Sequence, residues 1–169
     1  MWEYTGVKRP PFAVEPGAGQ ESVWDYPRPP RLEPCGRLVQ VSAGELEIAR
    51  TTRSLRVLET ASPPTFYLPP GDVDWDHLTS SAGGSICEWK GAAEYFALAV
   101  DPAIVVAWCY RKPTARFADL AGYVGFYPGR VACFVNEERV QPQPGGFYGG
   151  WITAEIVGPC KGEPGTSGW

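Results

Sequence analysis

A chain of 169 residues that is 44% hydrophobic and 20% charged has the length and composition of one folded domain, which excludes wholesale disorder. A net charge of −4, with no Lys/Arg run beyond two adjacent residues, excludes the basic stripe that a nucleic-acid duplex demands. Gly 20 and Pro 18 favour many short elements joined by turns, hence a mainly β fold rather than a helical bundle.

Residues 1–37 read as a Pro-rich arm. Its Val23-Trp24-Asp25-Tyr26-Pro27-Arg28-Pro29-Pro30 stretch is expected to be extended, because each proline biases its predecessor away from the α region. Trp24 and Tyr26 are the anchors expected to pack the arm onto the domain or onto a second subunit. A β domain follows over 38–141. Strands at 38–41 and 45–49 alternate around an Ala43-Gly44 hairpin turn, and strands at 55–59 and 65–68 flank Ser62-Pro63-Pro64. Asp72 is expected to cap one helical turn through Leu78, and Thr114 a second short helix over 115–120. Further strands are predicted at 85–90, 94–100, 104–110, 123–127 and 131–135. The tail, 142–169, is rich in Gly, Pro and aromatics. Its 145–151 stretch lacks periodicity and reads as a structured loop, either functional or a flap covering a sheet edge.

The longest strongly apolar run, 103–110, is too short to span a bilayer, and no basic segment followed by an apolar one opens the chain. Neither a membrane nor a secretory route is expected, which places the chain in the cytoplasm. Cys35, Cys87, Cys109, Cys133 and Cys160 are odd in number, widely spaced and without a C-x-x-C pair, so they read as reduced thiols.

Several blocks carry a resemblance. Glu59-Thr60, Pro63 through Pro70 (Pro-Pro-Thr-Phe-Tyr-Leu-Pro-Pro) and Asp72-Val73 are followed by Cys87-Glu88-Trp89-Lys90-Gly91 with Tyr95. Ala107-Trp108-Cys109-Tyr110 with Pro113 and Gly125-Phe126-Tyr127-Pro128-Gly129-Arg130-Val131 complete the set. Over roughly 38–140 the chain resembles the bacterial and fungal family called domain of unknown function 427, also labelled nucleotidyltransferase family 9. The arm and tail resemble extensions of a longer subgroup. The resemblance implies a tent-like fold in which two antiparallel sheets meet over a cleft. Zinc-binding tent-like proteins carry two C-x-x-C knuckles, which this sequence lacks. Nucleotidyltransferases place a Gly-Ser turn shortly before paired metal-binding Asp residues; here Gly84-Ser85 is followed by Cys87, Glu88 and Trp89 and by no acidic pair. The label is therefore not carried over as an activity.

Cys87 and Lys90 are the sharpest chemical pair. A turn after Cys87 would bring them together, and an ammonium nearby would favour the thiolate; the alternative is a buried Cys beside a Lys whose stem covers the core. Glu59 reads as a lone general base in an aromatic cleft or as the partner of Arg53, Arg56, Lys90 or Arg130. Tyr67, Trp89, Tyr95, Trp108, Tyr110, Tyr127 and Tyr148 are core aromatics with a subset expected at a pocket wall, and Arg130 reads as a solvated turn residue or an anchor for an anionic ligand. His77, the single histidine, falls on a surface turn. Asp72, Asp74 and Asp76 mimic the start of a calcium loop, but His77 replaces its glycine and Gly83 its bidentate glutamate, so no metal site is expected. No Walker A, G-x-G-x-x-G or H-E-x-x-H sequence is present, and no cofactor is expected. Two readings follow. One is a small-molecule-binding β domain, its pocket lined by Glu59, Tyr67, Cys87, Lys90, Trp108, Tyr110 and Tyr127, with cofactor-free acid–base chemistry. The other is a non-catalytic interaction module whose arm and tail dock a partner or form a homodimer. Redox chemistry at Cys87 is a third, with no resolving cysteine close in sequence.

Overall fold

Fifteen strands and four 3-10 turns are built from residues 2–169, which this computed structural model describes. The strands are β1 (Glu21–Ser22), β2 (Arg31–Cys35), β3 (Val39–Ala43), β4 (Leu46–Thr51), β5 (Ser54–Leu58), β6 (Thr65–Leu68), β7 (Leu78–Cys87) and β8 (Gly91–Leu98). They continue as β9 (Asp101–Cys109), β10 (Val124–Phe126), β11 (Ala132–Val135), β12 (Glu138–Arg139), β13 (Gln141–Pro142), β14 (Trp151–Ile152) and β15 (Ile156–Val157). β2-β5-β6-β10-β9-β8-β7 form a seven-stranded sheet and β12-β11-β3-β4 a four-stranded one, antiparallel throughout. The fold is mainly β with two antiparallel sheets, as the turn-rich composition implies. No helix among the described residues is long and apolar enough to cross a membrane.

Period-2 alternation sends the side chains of the seven-stranded sheet into two separate clusters. Phe66, Leu68, Val106, Cys109, Val124 and Phe126 pack with Val39, Val41, Ile48, Cys133 and Val135 of the four-stranded sheet, and Trp151 joins them. Each such burial is worth about 1.5–3 kcal/mol, so this layer is the main source of stability. The second cluster, Val57, Tyr67, Ala93, Trp108, Tyr110, Phe117 and Leu120, forms apart from that layer.

Several elements depart from the sequence expectation. Val23–Asp25, within the stretch expected to be extended, is a 3-10 turn that precedes the prolines and is capped by Ser22, whose hydroxyl accepts from the Trp24 N–H. β2 lies within the stretch read as arm; Pro34 is tolerated there because β2 is an edge strand, whose missing N–H leaves no ladder bond unmade. The strand expected at 85–90 starts at Leu78 and ends at Cys87, and Glu88 to Lys90 form a turn. Its first part is polar and lies on the opposite edge, where neither face is fully buried, so no alternation marks it. The helical turn expected from Asp72 to Leu78 is two 3-10 turns, Pro70–Asp72 and Trp75–His77. Asp74 caps the second by accepting from the Asp76 N–H at 3.1 Å, while Asp72 accepts from the Arg53 guanidinium at 3.0 Å and the Thr51 hydroxyl at 2.6 Å.

The arm is packed against its own chain. Trp24 is fully buried, with Val23, Tyr26, Leu58, Ala61 and Ile156, and its ring meets those of Tyr4, Phe12 and Trp169. Glu21 accepts from the Tyr26 hydroxyl at 2.6 Å and from Arg56 at 3.2 Å, and Arg56 also binds Glu33. Burial pushes the Glu21 carboxyl up, but the Tyr26 hydroxyl and the Arg56 guanidinium outweigh it and hold the group below its ordinary range. A depressed folded-state pKa contributes stability that is present above the unfolded value of about 4.3 and is lost as pH falls through the folded value. Glu21→Gln should therefore unfold at lower urea than the parent near neutral pH and converge on it as acidification protonates Glu21 in the folded state. A gap that stays constant across that range would show that ionisation of Glu21 contributes nothing.

Candidate functional site

Strand register lays one row of residues across the seven-stranded sheet: Leu55 on β5, Tyr67 on β6, Gly125 on β10, Trp108 on β9 and Tyr95 on β8. Gly125 makes room for the indole, since a Cβ there would lie 2.6 Å from Cζ2 of Trp108. The Trp108 ring stands 4.5 Å from that of Tyr127 and 5.8 Å from that of Tyr67, and its Nε1–H donates to the Tyr67 hydroxyl at 3.2 Å. Tyr110 follows, its ring 6.4 Å from Tyr67. Burial pushes the Tyr67 and Tyr110 hydroxyls well above the ordinary tyrosine range and that of Tyr127 up to about 12. All three are neutral phenols near neutral pH, able to donate hydrogen bonds and unable to act as phenolates.

A cavity of about 510 Å³ opens over this aromatic wall. Glu59, Tyr67, Cys87, Lys90, Tyr95, Trp108, Tyr110, Tyr127 and Arg130 all line it, so these candidate residues come together in one place. Trp89 and Tyr148 line it as well.

Local structure explains each position. The β7–β8 turn is closed by Gly91 at φ +104°, a conformation that side chains rarely adopt, which puts Cys87 on one arm of the hairpin and Lys90 at its tip. Thr114 clasps that tip: its N–H donates to the Lys90 carbonyl at 3.1 Å and its hydroxyl to the Trp89 carbonyl at 2.6 Å. The hydroxyl is thereby used on the hairpin and makes no cap for the 3-10 segment Ala115–Leu120. Lys90 is 8% exposed, its ammonium 5.8 Å from the Tyr110 ring and 6.0 Å from that of Phe117.

Glu59 follows β5, and its Oε1 accepts from Nε of Arg28 at 3.2 Å. The partner comes from the arm and is none of the four cations considered from the sequence: Arg53 binds Asp72, and Arg56 binds Glu21 and Glu33. Arg28 also donates to the main-chain oxygens of Tyr4 at 2.9 Å, Trp169 at 3.1 Å and Thr60 at 2.9 Å. Arg130 lies on the exposed rim over the Tyr127 ring at 4.2 Å, and one nitrogen donates to the Val105 carbonyl at 2.7 Å.

Sequence reasoning missed Trp2, Gln143 and Lys161, which also line the cavity. Lys161 is held by its N–H to the Ala61 carbonyl and by Gln143 Nε2 donating to its carbonyl, both at 2.7 Å. It is 5% exposed, with its ammonium 4.3 Å from the Trp2 ring and 5.4 Å from that of Tyr148. Burial holds this ammonium below the ordinary lysine range, Arg28 adds to the effect, and Glu59 and Glu88 oppose it.

His77 and the three aspartates lie elsewhere. His77 pairs with Asp74 at 3.3 Å, and none of the four lines the cavity. Among the described residues no group of three or more His, Cys, Asp or Glu side chains is placed to hold a metal ion.

Residues 31–137, well over half of the chain, match the family model of the domain of unknown function DUF427, NTP_transf_9. No curated protein matches the chain. The chain therefore belongs to the DUF427 family. The matched segment supplies Glu59, Cys87, Lys90 and the aromatic wall, whereas Trp2, Gln143, Tyr148 and Lys161 come from outside it.

Proposed function

We propose that this DUF427 family member is a small-molecule-binding β domain whose ligand occupies the cavity over Trp108 and Tyr127. The observation that carries the reading is convergence. Side chains from five strands of one sheet (β5, β6, β7, β8 and β9), one hairpin tip and the tail meet around a single space of about 510 Å³ instead of filling it. That volume falls within the range of about 300–1,000 Å³ typical of ligand pockets, and the aromatic wall faces convergent polar groups of the kind that orient a ligand. Tyr67, Tyr110 and Tyr127 offer neutral hydroxyls, and Trp108 and Tyr127 offer faces for a planar body.

For proton transfer without a cofactor the site offers Glu59 and Lys90. Arg28 fixes the Glu59 carboxylate through Oε1, and Oε2 accepts no hydrogen bond among the described residues, which leaves it available to a substrate proton.

Native mass spectrometry of the protein freshly purified from its own host tests the reading. The expected result is one small molecule retained per chain and lost on Lys90→Met, with the charge-state distribution of the folded protein unchanged. A ligand-free oligomer that dissociates when residues 1–37 are removed would contradict it in favour of a non-catalytic interaction module.

A further inference from the structure

Lys90 and Lys161 reach the same cavity from opposite parts of the chain, one from the β7–β8 hairpin and one from the tail. Each residue is more than nine-tenths buried, and among the described residues neither ammonium has a hydrogen-bond or ion-pair partner. Aromatic rings flank each: Tyr110 and Phe117 for Lys90, Trp2 and Tyr148 for Lys161. A cation–π contact returns about 0.5–2 kcal/mol and leaves the N–H donors of each ammonium free to bind an anion that enters the cavity.

Two carboxylates, Glu59 and Glu88, also line the cavity and act on Lys161 through space, yet among the described residues neither forms an ion pair with either lysine. Glu59 is bound instead by Arg28. What neither ammonium has is a directly bound anion.

Building on the small-molecule reading above, we infer that the ligand is an organic oxyanion. It has a planar aromatic body lying against Trp108 and Tyr127 and a carboxylate or phosphate group received by Lys90 and Lys161. Lys90 belongs to the segment that matches the DUF427 model and Lys161 lies beyond it. The tail thus supplies the second cation of the site, and with it a preference for charged over neutral ligands. Arg130 on the rim adds a positive charge at the entrance.

Titration of the full chain with 2-naphthoate, 2-naphthyl phosphate and neutral 2-naphthamide, followed by tryptophan fluorescence and calorimetry, tests this. At least one of the two anions should bind about tenfold or more tightly than the amide, the effect of one charge-assisted hydrogen bond. Whichever anion binds more tightly identifies the group the site receives. Lys90→Met and Lys161→Met should each reduce the preference by about tenfold. Without ligand, each variant should melt close to the parent temperature, because the ammonium it removes makes no hydrogen bond or ion pair among the described residues. Equal binding of naphthoate, naphthyl phosphate and naphthamide by the parent would overturn the anion inference and leave the pocket reading standing. Binding of none of the three at millimolar concentration would overturn both. The comparison of the three ligands on the parent chain decides the matter even where a variant fails to fold.

Discussion

Arg28→Ala should lower stability by about 3–5 kcal/mol, the range for removing one partner from a buried charge pair. The Arg28 side chain is 1% exposed, and its guanidinium joins three parts of the chain at once: Glu59 and the Thr60 carbonyl after β5, Tyr4 in the arm and Trp169 in the tail. It also lies 4.1 Å from the centre of the Trp2 ring. Alanine leaves three main-chain oxygens and one carboxylate without their donor. Arg28→Lys should rescue little, because a single ammonium cannot span the fork geometry that a planar guanidinium fits. Urea unfolding measures the loss. A cost below about 1 kcal/mol, the size expected of a surface ion pair, would show that the arm and tail do not depend on this residue. The same variant should weaken ligand binding, since Glu59 and Trp2 both line the cavity.

Gly125→Ala should disrupt the site from beneath. The added Cβ would lie 2.6, 2.7 and 3.0 Å from Cζ2, Cε2 and Cη2 of Trp108, closer than carbon atoms approach without displacement. The ring cannot retreat outward, because the backbone at Gly149 is already so close that a Cβ there would fall 2.2 Å from Cη2. β10 is a central strand, paired to β6 and β9, and it cannot bow away without losing ladder bonds on both sides. Overpacking of this kind costs about 1–3 kcal/mol, and displacement of the indole breaks its bond to the Tyr67 hydroxyl. Near-ultraviolet circular dichroism should lose the signature of the Trp108–Tyr127 pair, and ligand binding should be lost with it. Gly168→Ala, where a Cβ meets nothing within 4 Å, is the control and should change neither. A Gly125→Ala protein with the parent spectrum and stability would show that the close fit beneath Trp108 is not required.

The sequence was most informative where strands are central and half-buried. In Thr65-Phe66-Tyr67-Leu68 strict alternation separates Phe66 and Leu68, which join the core between the sheets, from Tyr67, which joins the cavity wall. Trp108 and Tyr110 share a face for the same reason. The edge strands were poorly legible: β2 carries a proline and β7 opens with a polar, Gly-rich run, because an edge needs neither a full ladder nor a buried face. The residues that complete the cavity from a distance were illegible. Arg28 meets Glu59 across 31 positions, and Lys161 reaches the wall from a tail without periodicity. Nothing in local propensity encodes such meetings; they follow from where the arm and tail are anchored, through the pairing of β1 with β15 and the cluster around Trp24. Thr114 is a related case. A helix-capping residue by type, it spends its hydroxyl on the Trp89 carbonyl and so holds the hairpin that presents Lys90.

The central claim is that the cavity over Trp108 holds a small organic anion. The most direct measurement is a crystal structure of the full chain purified from its own host, with no ligand added. The account predicts difference density in the cavity, flat against the Trp108–Tyr127 wall, with an oxyanion end within hydrogen-bond distance of both the Lys90 and Lys161 ammoniums. A cavity holding only ordered water, with both lysines turned out to solvent, would contradict it.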